Sequence, residues 1–160
     1  MIQAITETTV EAFVQTEDNR INTAVASTQI RHLVKFTNDM DKSIQYAYGA
    51  LETIYNRYTY FRFEYHTTPY VFSGRINFLP AGYWKYEVYE VSWVGVVSVT
   101  SGNAPETETD VLSPPASTKG IVQGLVTKGK MYVAEKDGTE QVSYTQRQEP
   151  SSTNYIYYGQ

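Results

Sequence analysis

The residues with catalytic potential are few. Hydrolysis by a nucleophile needs a base beside it, and the chain offers two histidines, His32 and His66, with no strained Gly-x-Ser-x-Gly turn to expose a serine. His32 alternates with Ile30 and Val34, which marks a partly buried strand residue, and His66 closes a strand at an edge or loop. A glycosidase needs two facing carboxylates. The nearest pair, Glu87 and Glu90, is three residues apart on a predicted strand and points to opposite faces unless a bulge intervenes. Asp39 and Asp41 beside Asn38 fit a turn stabilised by local hydrogen bonds better than a calcium loop, whose other ligands are missing. Glu106, Glu108 and Asp110 read as a solvated acidic loop. Cysteine is absent, which removes disulfides, thiolate metal sites and cysteine nucleophiles, and leaves the redox compartment open. No catalytic residue, metal site or cofactor is expected.

The elements that would carry these side chains are strands. Gly82 to Trp93 interleaves aromatic and charged residues with period two, so that Tyr83, Lys85, Glu87 and Tyr89 share one face and Trp84, Tyr86 and Val88 the other. The apolar parity then shifts to Val91 and Trp93, the mark of a bulge, with apolar β structure continuing over 94–100. Gln29 to Thr37 and Ser43 to Tyr48 predict a hairpin around Asn38 and Asp39. Residues 49–57 read as a connection. Tyr58 to His66 places Thr59, Phe61, Phe63 and Tyr65 towards a core and Tyr58, Tyr60, Arg62 and Glu64 away from it. Residues 70–79 read as two short strands or one interrupted at Gly74. The stretch 101–119 is a loop long enough to be a contact or ordering element. A hairpin is expected around Lys128-Gly129, another turn at Asp137-Gly138, and an edge strand in the aromatic tail Tyr155 to Tyr158.

Short strands at turn-like spacing predict one all-β domain over residues 29–160, an antiparallel β-sandwich with a β-barrel as the alternative. Residues 1–28 are an extended N-terminal arm or a first strand, with Val10, Ala12 and Val14 in alternation. The expected core is Val34, Phe36, Ile44, Tyr46, Phe61, Phe63, Trp84, Tyr86, Val88, Val122 and Val133. Fifteen tyrosines in 160 residues favour sheet over helix. Net charge is -4 and no run of Lys or Arg could track a phosphate backbone, so nucleic acid is not an expected partner. The first residues lack a basic start and a continuous apolar region, and no window approaches the roughly 20 apolar residues that span a bilayer, so neither secretion nor a membrane partner is expected.

The residues 34–43, Val-Lys-Phe-Thr-Asn-Asp-Met-Asp-Lys-Ser, then Asn56-Arg57-Tyr58, then Gly82 to Glu90, in that order, resemble a group of small structural proteins of tailed bacteriophages. Asn103-Ala104-Pro105 and residues 120–124, Gly-Ile-Val-Gln-Gly, extend the resemblance, which covers roughly residues 30–160. It implies a non-enzymatic virion protein assembled in the host cytoplasm: an auxiliary head protein of the decoration or cement type, or a tail or neck component. Its expected partners are other virion proteins, the major capsid protein first, and copies of itself. Exposed Tyr and Trp suit protein contact and carbohydrate stacking alike, and in a two-sheet fold they also serve to cover a second core face. A carbohydrate-binding module on the particle surface is therefore the alternative. The candidate interface is Tyr58, Tyr60, Tyr83, Tyr89, Tyr155, Tyr157 and Tyr158, and both chain ends are expected to take part in assembly, their loss weakening docking more than the fold.

Overall fold

The structure, a computed structural model, describes residues 1–113 and 116–137. It is all-β, two sheets facing one another. The larger, curled sheet has the order β1-β9-β8-β3-β4, built from β1 (Ile2–Ile5), β3 (Ile30–Asn38), β4 (Ile44–Tyr48), β8 (Gly82–Ser92) and β9 (Ile121–Ala134). The smaller has the order β2-β6-β5, from β2 (Val10–Val14), β5 (Leu51–Ile54) and β6 (Thr59–Tyr65), with β7 (Arg75–Ile76) beside β6. Pairing is antiparallel except for β1 with β9 and β6 with β7. Residues 1–28 thus supply a strand to each sheet, and a tight turn with Glu7 at φ 58° joins the two.

Alternation in β6 explains the main core. Thr59, Phe61 and Phe63 are buried while Arg62 and Glu64 are exposed, as a strand with one wet face requires. Phe63 meets Phe36 edge-on at 5.3 Å, Phe36 meets Phe78 at 4.9 Å, and Phe78 meets Trp84 at 5.4 Å. These T-shaped contacts bring ring edges to ring faces and fill the space between the sheets. The Trp84 indole donates to the Pro80 carbonyl at 3.1 Å, so its polar atom is satisfied inside.

The large sheet is also covered on part of its other face. Leu33, Tyr48, Val91, Trp93 and Ala104 form a second buried cluster. Residues 94–113 and 116–120 roof it: Tyr48 donates to the Pro105 carbonyl at 2.8 Å, and the Trp93 indole to the Asn103 carbonyl at 3.3 Å. Gly120 is needed here, because a Cβ would sit 2.6 Å from the Trp93 ring.

Several expectations are corrected. The hairpin at Lys128-Gly129 does not form, since β9 runs unbroken through it and pairs with β8 along its length. Gly129 serves packing: a Cβ there would lie 2.5 Å from the Tyr86 hydroxyl. Gly124, with φ +148°, belongs to the irregular stretch where β8 and β9 shift register. Residues 49–57, expected as a connection, contain β5, and 94–100 holds no strand. Within 70–79, a 3-10 turn at Val71–Ser73 precedes β7, with Gly74 in the left-handed region at φ +67°. Ile44 is half exposed rather than core. In the β3–β4 register Ile44, Tyr46 and Tyr48 lie opposite Thr37, Lys35 and Leu33. They therefore occupy the face away from Val34 and Phe36, and Tyr46 is partly buried under the roof instead. Tyr86 and Val122 are partly buried. The turn expected at Asp137-Gly138 and the tail Tyr155 to Tyr158 extend beyond the described residues.

Candidate interaction surface

The outer face of the small sheet carries an exposed aromatic patch. In the β2–β6 register Phe13 faces Tyr60, and Glu11 faces Arg62, which in turn faces Leu51 of β5. Phe13 lies 5.7 Å from Tyr58 and 5.2 Å from Tyr60, ring centre to ring centre, and Tyr55 lies 4.9 Å from Tyr58. Tyr55 and Tyr58 are held together by the turn between β5 and β6, where the Tyr55 N–H donates to the Tyr58 carbonyl at 2.9 Å. Phe13 is 62% exposed. Charged groups frame the rings: Tyr60 donates to Glu11 at 3.0 Å, and Arg62 pairs with Glu64 at 3.5 Å. An apolar centre with a polar rim is the composition of a protein interface. The rings are mutually tilted by 68°, 44° and 38°, so they do not form the coplanar platform on which a sugar ring would stack.

Tyr58 and Tyr60 thus come together here, joined by Phe13, Tyr55 and Leu51, which the sequence reading did not single out. Their signal was present in part. Phe13 interrupts the buried alternation of Val10, Ala12 and Val14 with a large apolar side chain on the opposite parity. Tyr83 lies elsewhere, on the outer face of the large sheet, exposed and 5.1 Å from Tyr132. Tyr89 is partly buried and packs against the second cluster, so it is covered by this chain's own roof. Tyr155, Tyr157 and Tyr158 lie outside the described residues.

The groups with catalytic potential have structural partners. His32 is 2% exposed, and its Nδ1 lies 2.8 Å from Glu52 Oε1, a buried pair that joins β3 to β5 across the two sheets. The Thr68 N–H donates to His66 Nδ1 at 3.0 Å. Register irregularities do follow Val88 and Glu90, yet the two carboxylates serve different ends. Glu87 pairs with Lys35 at 3.8 Å, whereas buried Glu90 accepts the N–H groups of Ile21 and Asn22 at 2.9 and 2.7 Å. Asn38 Oδ1 accepts the N–H groups of Met40 and Asp41, closing the hairpin turn. Among the described residues no three His, Asp or Glu side chains are placed to hold a metal ion, and no helix is long and apolar enough to cross a membrane.

The acidic loop is docked rather than solvated. Glu108 accepts from Lys35 Nζ and from the Tyr46 hydroxyl, both at 2.5 Å, and Asp110 accepts the N–H groups of Glu106 and Thr107. Burial, helped by the Glu108 hydrogen bond, pushes the Tyr46 hydroxyl up to about 12. Burial also pushes the Glu108 carboxyl up, but the hydrogen bonds from Lys35 and Tyr46 outweigh it and hold the group below its ordinary 4.5. A carboxylate with a lowered folded pKa stabilises the fold above its unfolded value and loses that contribution as pH falls through the folded one. Glu108→Gln should therefore cost about 1 kcal/mol at neutral pH. Urea unfolding should show the gap between variant and parent closing as pH drops below the ordinary carboxylate range. Equal stability at neutral pH would mean the roof is held by its other contacts, not by Glu108.

The fold and this surface define a two-sheet all-β domain with an aromatic face. In comparisons with models of protein families, with curated proteins and with solved structures, nothing matches this chain.

Proposed function

We propose that the chain is a non-enzymatic interaction protein that docks on another protein through the outer face of the small sheet. More specifically, we propose a structural component of a phage particle, an auxiliary head protein that binds the capsid lattice. The observation that carries the first step is the clustering of Phe13, Tyr55, Tyr58 and Tyr60 on one exposed face, with tilted rings and a charged rim. Support for the second step is the ordered resemblance of residues 34–43, 56–58 and 82–90 to tailed-phage structural proteins. Large rings with few rotatable bonds give up little entropy on docking and concentrate binding energy where water is excluded.

The test uses particles assembled without this protein, to which the purified chain is added. Combined Tyr58→Ala and Phe13→Ser changes should weaken binding by about tenfold or more. The same changes should shift thermal unfolding little, because both side chains project from the outer face. Undiminished binding would remove this face from the interface, and tight binding to a glycan array with none to particles would favour the carbohydrate-binding alternative.

A further inference from the structure

The large sheet has a second open surface, of different chemistry, where the roof ends. On its outer face Lys130 of β9 stands directly opposite Lys85 of β8, and Lys128 stands opposite Glu87 on the next exposed rung. Thr37 follows Lys85 across β3, and Ile44 follows Thr37 on β4. Tyr83 and Tyr132, with ring centres 5.1 Å apart, occupy the rung on the other side. Thr37, Lys85, Glu87, Lys128 and Lys130 line an open groove of about 640 Å³.

The charge arrangement is costly for the isolated domain. Like charges directly opposite on neighbouring strands repel, and the carboxylates nearby are already engaged. Asp39 is 3.3 Å from Lys85 and Glu87 is 3.8 Å from Lys35, which also holds Glu108. Among the described residues neither Lys128 nor Lys130 has an ion-pair partner. In a chain of net charge -4, three lysines converge on one groove beside two tyrosine rings.

We propose that this groove receives a carboxylate-rich segment of a partner protein, separate from whatever meets the small sheet. Complementary charge would relieve the Lys85–Lys130 repulsion, and Tyr83, Tyr132 and Ile44 would supply apolar contact alongside it. The lysines present ammonium point charges and no guanidinium fork for phosphate. An open groove walled by exposed side chains also suits an extended chain better than an enclosed small anion.

Poly-L-glutamate is the probe, titrated against the intact protein at low ionic strength with heparin and single-stranded DNA in parallel. Binding should be saturable, weaken with salt, and fall about tenfold or more in a Lys128→Glu, Lys130→Glu variant. Arg57→Glu with Arg75→Glu, a control matched in charge change and placed at the other sheet, should leave it nearly unchanged. No binding to poly-L-glutamate overturns the proposal. So does an equal loss in the arginine control, which would report overall charge, and so does tighter binding of heparin or DNA than of poly-L-glutamate. Because the small-sheet face is intact in the lysine variant, the outcome is independent of the particle-binding test.

Discussion

Truncating Phe61 or Phe63 to Ala should lower the unfolding free energy by about 3 to 5 kcal/mol, measured by urea denaturation. Both rings are 1% exposed, stack on each other at 6.0 Å, and stand against Phe36 and His32 from the opposite sheet. Nothing at the centre of a two-sheet core can collapse into the space without moving a strand. Against the 5 to 15 kcal/mol typical of a domain, either change takes a large share. A loss under about 1 kcal/mol at both would mean the rings do not sit between the sheets.

Deletion of residues 1–14 should abolish cooperative folding. β2 pairs with β6 over five residues and buries Val10, Ala12 and Val14 against the main core, while β1 pairs with β9. Burying Val10 and Val14 alone contributes roughly 3 to 6 kcal/mol, and their removal also strips β6 of its ladder on one side. The expectation that an N-terminal truncation would weaken docking more than the fold is thereby reversed. Loss of a cooperative melt, followed by circular dichroism on heating, is the expected result. A truncated protein that melts like the parent would return residues 1–14 to the status of an arm.

What the sequence disclosed followed the strength of its local pattern. β6 was legible because one face is wet, so Phe61 and Phe63 alternate with Arg62 and Glu64. β3 and β4 were legible as a hairpin because Asn38 and Asp41 supply turn chemistry locally. Their faces were harder, since Leu33 and Val34 are both buried and a strand covered on both sides loses its alternation. β9 was misread because a glycine that makes room for Tyr86 looks the same in one dimension as a glycine that turns the chain. β1 is short and partly polar, and only its partner 130 residues downstream makes it a strand. Half of the aromatic patch was visible as Tyr58 and Tyr60. Phe13 and Tyr55 join them through pairing between β2, β5 and β6, and the Lys85–Lys130 rung likewise exists only once β8 and β9 are in register.

The pairing of β1 with β9 bears on synthesis. Ile2 lies against Met131, and Thr6 accepts a hydrogen bond from the Lys136 N–H, 130 residues later. Once β1 is made, about 130 further residues must therefore be synthesised before its partner strand exists, about 6 to 25 seconds at ordinary elongation rates. Until then β8 has one open edge and β1 has no neighbour in its own sheet, a period in which nascent chains translated side by side on one message can exchange edges. The edge of β8 that β9 covers thus stays open from the moment β8 is made, and only the emergence of β9 closes it.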